Sequence, residues 1–376
     1  MLGSYDRFIT AIHRFTSNNI VARWIFVISQ YGITEDIYTF FYRLALVLSS
    51  GNIYKQLKQI ITTRPDVDEI LVVATHFGMA HQIGAVKKRL MKETGVKIRL
   101  IVQVTDDTTQ HIWAVGGADL TFVPSKETKE KLSKYAQRWK LCRNFSVIPY
   151  PLTPALTRKI GVNEEKRSEA FRSKTKTINV AVPISGAAVG MSYFLTFIKT
   201  IKKISKRFRF WVLVKKSAQT TKFVEELERL DNVQLITGRN DNEMINLYEL
   251  LYQNNLIHIE VTKPSEQSFK AILAPNLVGG SLMLFTSPVG RQEIENLKFL
   301  GRHKLLSDRD GSVPRAVRLS RDPILAADYM MWGLDSGLFE KMSSESFHFS
   351  QESLNSGEVG PEGASKFWQE VEKQFA

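Results

Sequence analysis

Asp106, Asp107 and His111 are the residues of this chain whose types and spacing best suit proton chemistry. An imidazole with a near-neutral pKa beside carboxylates can take or pass a proton from a hydroxyl. The run Ile98-Arg99-Leu100-Ile101-Val102-Gln103-Val104 brings them to one place. It is mostly apolar and rich in β-branched residues, which predicts a buried parallel strand. The run stops in the polar turn Thr105-Asp106-Asp107, at the carboxyl end of the strand, where open α/β sheets bind ligands. A second strand over 119–123 leads through Pro124-Ser125 into a helix over 126–139. Ser125 is its natural N-cap, with Thr128 and Glu130 in the first turn. His111 and Trp113 lie between the strands, on a segment too short for a core helix. A packed loop histidine with acids that cap a turn would account for the same residues, and spacing alone does not choose.

The elements that must position this turn begin at Arg64-Pro65-Asp66, where strands and helices start to alternate. Strands over 69–74, 98–104, 118–123 and 145–148, with helices over 79–94 and 126–139, predict a parallel sheet covered by helices. Residues 158–176 are charge-rich and strand-free, and read as an interdomain linker. A second α/β unit follows over 177–342, with strands near 177–182, 208–214, 233–237, 256–261 and 281–285. Residues 343–364 are rich in Ser, Gly and Glu and are expected to be loose, ahead of a short terminal helix over 365–375. The expected organisation is a helical segment over 1–62, an N-terminal domain over 63–157, the linker, a C-terminal domain over 177–342 and a tail over 343–376. The fold class is α/β with two Rossmann-like domains, the first incomplete and preceded by helices.

Residues 1–62 show helical spacing: Phe8, Ile9, Ile12 and Phe15, then Ile20, Trp24, Ile25 and Ile28, then Phe40, Phe41, Leu44 and Leu48. Arg7, Arg14, Arg23, Arg43, Lys55 and Lys58 punctuate an aromatic set that includes Tyr5, Trp24, Tyr31, Tyr38 and Tyr42. Cations beside amphipathic rings suit a helix lying at a lipid surface. A helical cover packed on a sheet explains the pattern as well, and one helix can do both. The formal charge of +13 over 376 residues calls for an anionic partner. Nucleic acid is the weaker candidate, because the basic residues are scattered and no recognition helix stands out. One cysteine, Cys142, excludes an internal disulfide and fits a reducing compartment. No signal peptide is expected at the start. The apolar stretches 20–28 and 37–48 are broken by Arg23 and Arg43 and fall short of the ~20 residues that span a bilayer. A soluble or peripheral protein is expected.

Several motifs, in order, resemble the monogalactosyldiacylglycerol synthase and processive diacylglycerol glucosyltransferase family. Pro65-Asp66 through Ala74-Thr75-His76 resembles its "P-D…T-H-P" strand. Val104-Thr105-Asp106, His111, Trp113, Asp119 and Val123-Pro124-Ser125 resemble its "V-T-D…H…W…D…V-P-S-E-E" block. The segment Ile148 to Leu156 is similar to its "G-x-P-V…F" crossover. Gly238-Arg239-Asn240 is similar to its "G-R-N" turn, and Gly290, Gln292, Glu293 and Asn296 to its "P-G-Q-E-x-G-N" loop. Together these span about residues 64 to 300.

The resemblance implies the GT-B architecture of two Rossmann-like domains, and a hexosyltransferase that moves sugar from a UDP-sugar to a diacylglycerol-like lipid. Such an enzyme works in the cytoplasm on the inner face of an anionic membrane. It implies no cofactor beyond the UDP-sugar substrate and no metal, since fixed dipoles and cations carry the leaving diphosphate. The donor residues would be Ser185, Gly186 and Gly190, whose loop before a helix offers backbone N–H groups to phosphate, with Arg239, Lys263, Gln292, Glu293 and Asn296. His111 and Asp106 would act on the acceptor side. The chain departs from the family in three places. The strand, "G-G-G-H" loop and helix that carry the family's base have no counterpart in residues 1–62, and His76 and His81 lie in a different loop. The family's "T-K-x-G-P-G-T-x-x-E" is here Thr262-Lys263-Pro264-Ser265-Glu266 through Ala271, without the glycines and with alanine at the carboxylate position. The loop over 185–190 also holds fewer glycines. A non-catalytic or degenerate relative that binds sugar nucleotide or lipid is the alternative.

Overall fold

The structure, a computed structural model, describes residues 28–375 apart from 143, 185, 187, 267–268, 270–271, 273, 275, 307–312 and 346–348. It divides into two compact units. Unit 1 holds Met1–Tyr150, Gly290–Glu295 and Lys366–Ala376; unit 2 holds Pro151–Val289 and Asn296–Ser365.

Unit 1 opens with helices α1 (Gly32–Leu48) and α2 (Gly51–Thr62). A four-stranded sheet follows, all parallel, in the order β1 (Glu69–Ala74), β2 (Lys97–Gln103), β3 (Leu120–Val123) and β4 (Phe145–Val147). Helix α3 (Phe77–Thr94) links β1 to β2, and α4 (Lys126–Arg138) links β3 to β4. Alternation along the strands sorts side chains onto two faces. Ile98, Leu100 and Val102 of β2 pack with Ile83, Val86 and Leu90 of α3. Ile101, Leu120 and Phe122 pack on the other face with Phe367 and Val371, from the part of the last helix that groups with this unit. The local signals work as read. Ser125 caps α4 by accepting from the Thr128 N–H at 3.1 Å, and Gly95 ends α3 in the left-handed region at φ 73°. Gly84 is required by proximity, because a Cβ there would stand 2.1 Å from the Gly116 carbonyl oxygen.

Unit 2 begins with α5 (Pro154–Thr157) and α6 (Asn163–Arg172). Its core elements are β5 (Ile178–Pro183), α7 (Met191–Ile204), β6 (Phe208–Lys215), α8 (Thr221–Glu228), β7 (Val233–Gly238), α9 (Asp241–Asn254), β8 (Ile259–Thr262) and β9 (Leu282–Phe285). After them come α10 (Arg291–Arg302), whose first turn belongs to unit 1, then β10 (Ala316–Arg318), α11 (Pro323–Asp335), α12 (Leu338–Glu345), α13 (Gln351–Ser356) and α14 (Gly363–Phe375). The sheet order is β10-β9-β8-β5-β6-β7, all parallel. Ile178, Val180 and Val182 face α7 and α11, while Ala181 and Leu213 face α9.

Three expectations are corrected. The stretch 158–176 is not a linker: α6 fills it, packs on α12 and buries Ala170 and Phe171. Its charged appearance misled because Arg167 is also buried, with Nε donating to the Ile257 carbonyl at 2.8 Å. The tail over 343–364 is not loose. Ser350 caps α13, and buried Glu358 meets His303 at 3.0 Å beside buried Val359. The sheet also gains β10, a strand of three residues too short to read from periodicity.

Candidate functional site

In unit 1 the turn after β2 is held from three directions. Asp107 Oδ1 accepts from the Ser125 hydroxyl and from Thr128 Oγ1, the latter at 2.8 Å, which pins the turn to the start of α4. Asp106 is buried, and its backbone carbonyl accepts from the Thr108 N–H at 2.8 Å. Glu295 accepts from Thr108 Oγ1, the Thr109 N–H and Thr109 Oγ1 at 2.9, 2.9 and 2.7 Å. Arg291 joins this set by donating to Glu295 at 3.0 Å, to Thr109 Oγ1 at 2.6 Å and to Glu35 of α1 at 2.6 Å. Burial pulls the Arg291 pKa down, but Glu295 and Glu35 more than offset it and hold the guanidinium charged.

His111 opens a short 3-10 turn, His111–Trp113. Its backbone N–H donates to Glu35 Oε1 at 2.8 Å, and its ring Nδ1 lies 2.8 Å from Asp36 Oδ1. The imidazole stacks on Tyr135, with centroids 3.9 Å apart and planes 13° from parallel. Arg43 donates to the carbonyls of His111 and Ala114 at 2.6 and 2.9 Å, and to the Tyr135 hydroxyl at 3.2 Å. Burial lowers the Arg43 pKa, while Tyr135 and Asp36 act the other way. Trp113 is buried, edge-on to Phe77, and packs rather than binds. Asp119 is likewise structural: it pairs with Lys87 at 2.5 Å and accepts the Leu100 N–H at 2.6 Å. His81 sits under the turn, 2.8 Å from the Ile112 carbonyl. Burial, aided by Arg43, lowers its pKa to about 4, so it stays neutral.

Of the two acceptor-side residues expected from sequence, His111 is therefore at the centre of a network, but its ring bonds to Asp36 rather than Asp106. Glu35, Asp36, Arg291 and Glu295 were not anticipated. The available signal was faint: Glu35-Asp36 is an acid pair inside a basic, aromatic segment, and Arg291 and Glu295 stand one helical turn apart. Arg43, grouped in sequence with lipid-facing cations, turns inward instead. The rest of the aromatic segment up to residue 27 lies outside the described residues.

In unit 2, β5 has β6 on one side and β8 on the other. The chain thus reverses its direction of travel across the sheet between β5 and β8, which is the switch point where α/β sheets leave a crevice. The loop after β5 carries Gly186 and Gly190, and the loop after β8 carries Lys263. Ser185 lies outside the described residues. Gly190 has φ 83° and caps α7 without a side-chain hydrogen bond, and no acid occupies the first turn. Among the described residues no side chain caps the first N–H groups of α7, and such a helix start is a ready seat for an anion. Lys215, at the end of β6, reaches Asp241 at 2.7 Å, and a Cβ on Gly186 would lie 3.9 Å from that same carboxylate. This lysine is a further cation near the loop that sequence reading passed over.

Arg239 is at the end of β7, two strands away from β5. Its N–H and Nε both donate to Glu243, at 2.8 and 3.2 Å, while Asn240 Oδ1 accepts the Glu243 N–H at 3.0 Å. Asn240 is thus the N-cap of α9, and Glu243 holds the residue before the cap. Asn296 is fully buried and its amide donates to the Pro264 carbonyl at 3.0 Å, so it holds the loop that carries Lys263. Gln292 is half-buried and Glu293 buried, both in the first turn of α10 within unit 1.

No family model and no curated protein matches this chain. Among solved structures, the S. aureus MnaA–UDP co-structure is similar with a TM-score of 0.54 at 12% identity, covering 87% of this chain and 80% of that one. A putative UDP-N-acetylglucosamine 2-epimerase from Listeria monocytogenes is similar with a TM-score of 0.53 at 11% identity, covering 86% and 77%. At such identity the likeness is one of fold, and the fold is GT-B, with two Rossmann-like domains.

Proposed function

We propose that this chain moves a hexose from a UDP-sugar to the hydroxyl of a diacylglycerol-like lipid, at the inner face of an anionic membrane. The observation that carries the lipid half is the reversed polarity of α1. Glu35, Thr39 and Arg43 turn toward the protein, while Ile33, Ile37, Phe40, Phe41, Leu44 and Leu48 are exposed. A surface helix ordinarily does the opposite, and an exposed apolar stripe of this size marks a contact with membrane or partner. A lipid surface suits it because no helix among the described residues is long and apolar enough to cross a membrane, because the net charge of +13 favours anionic lipid, and because the same helix holds His111. The donor half draws on the switch-point loop with its uncapped helix start, and on the fold likeness to a protein solved with UDP.

In this reading the acceptor oxygen attacks the anomeric carbon, the bond to the β-phosphate oxygen breaks with its electron pair leaving on UDP, and the hydroxyl proton passes to His111. The test is transfer of radiolabelled hexose from UDP-hexose by the full chain, mixed with anionic vesicles with and without diacylglycerol. Label in the organic phase, one UDP released per sugar, and dependence on diacylglycerol are expected. UDP-hexose left intact with every donor and acceptor would reject the reading. The likeness to a putative 2-epimerase favours a second reading. In that case UDP-N-acetylglucosamine alone would give its epimer by proton NMR, with no sugar transferred. Nucleotide binding with neither product would favour the non-catalytic alternative.

A further inference from the structure

We propose that Asp36 is the positioning residue that makes His111 a base, a claim that rests on the transferase reading above. A carboxylate only accepts hydrogen bonds, so the contact of 2.8 Å from Asp36 Oδ1 to Nδ1 requires the ring proton on Nδ1. In the neutral ring the lone pair is then on Nε2, which no hydrogen bond engages among the described residues. The ring is held against rotation by its stack on Tyr135, and the backbone on either side by Glu35 and Arg43. Such a carboxylate fixes the tautomer and stabilises the imidazolium that forms when the proton arrives.

The neighbouring acid does not do this. Glu35 Oε2 is 3.7 Å from Nδ1 and is taken by Arg291 at 2.6 Å, while its Oε1 accepts the His111 backbone N–H. Among the described residues, Arg138 at 3.9 Å is the one further ion-pair partner of Asp36. The charged and titratable groups facing the ring are thus Asp36 and Glu35 from α1, Tyr135 from α4, with Arg43, Arg138 and Arg291 one contact further out. In the transfer step the acceptor O–H gives its proton to Nε2 as the oxygen bonds to the anomeric carbon and UDP leaves with the electron pair of the broken bond, while Nδ1 keeps its own proton, donated in a hydrogen bond to the ionised Asp36. Position 36 also ties the lipid-facing helix to the reaction, since α1 presents Phe40 and Phe41 outward and this carboxylate to the histidine.

The experiment compares the full-length wild type with Asp36→Asn and Asp36→Glu. Nitrogen-15 NMR of labelled histidine reads the tautomer, initial rates against pH read catalysis, and a thermal melt checks folding. Wild type is expected to carry the proton on Nδ1. Asp36→Asn, whose amide can donate to Nδ1, is expected to move the proton to Nε2 and lower kcat by roughly 10²–10⁴-fold. The donor KM should stay within about threefold, and Asp36→Glu should recover part of kcat with the Nδ1 tautomer. An unchanged tautomer in Asp36→Asn, or a changed one with kcat near wild type, overturns the proposal. If wild type transfers no sugar, the functional reading fails, while the tautomer comparison still decides whether Asp36 governs the ring.

Discussion

The turn around His111 and the loop after β5 are made of different materials. The first is a knot of side chains: Glu35, Asp36, Arg43, Arg291 and Glu295 converge on a few backbone groups and one imidazole. The second is almost bare of side chains and offers glycine backbone and the start of a helix. A proton acceptor must have its ring orientation and tautomer fixed, which takes several directed bonds. A diphosphate needs donors at close range, which takes the removal of Cβ atoms. Truncating a side chain should therefore break the first region, and adding one should break the second.

The largest effect is expected at His111. Replacing it with alanine should lower transfer by roughly 10²–10⁴-fold, in the range of a lost general base, with UDP affinity unchanged. Initial rates beside a binding titration check both halves. Next is Arg291→Ala, which strands Glu35 and Glu295 in a mostly buried setting. Breaking such a network costs about 3–5 kcal/mol, with partial exposure pulling toward the lower end. Urea unfolding would show it, and Arg291→Lys should recover only part, since lysine lacks the planar fork.

A third contrast is in acid. Burial lowers the pKa of His81 in unit 1 to about 4 and of His258 in unit 2 to about 3, where Arg167 adds to the effect. Both folded values lie below that of the unfolded chain, so the stabilisation is complete above about pH 6.5 and is lost as pH falls through the folded values. By pH 5 each histidine should cost about 2 kcal/mol, at about 1.36 kcal/mol per pH unit. Urea midpoints between pH 7.5 and 4.5 should fall less steeply in His81→Asn and His258→Gln.

What was legible in the sequence was local. The strand at Ile98 and its polar stop, the Ser125 cap and the glycine before α7 each depend on a few adjacent residues and a period of two or 3.6. What was missed depends on distance along the chain. Asp36 reaches His111 from 75 positions away and Glu295 reaches Thr108 from 187, and no periodicity announces such pairs. Charge also misled wherever it was buried. Arg167 made α6 look like a linker, and Arg43 looked like a lipid-facing cation, because composition does not say which charges find partners inside. The GT-B fold was reached through the alternation of strands and helices together with the motif resemblance, and the likeness of fold to solved structures holds at identities of 12% and 11%.

The smallest effect expected is also the most direct probe of the division of labour between the two regions. Alanine at Gly190 would meet Phe194 only in ordinary contact at 3.5 Å but would be strained at φ 83°, a distortion of roughly 1–2 kcal/mol. UDP titrated calorimetrically into wild type, Gly190→Ala and His111→Ala is the deciding measurement. Saturable binding of one UDP per chain, weakened about tenfold by Gly190→Ala and untouched by His111→Ala, is the result this account requires. No binding to wild type, or binding lost with His111 and indifferent to Gly190, would contradict it.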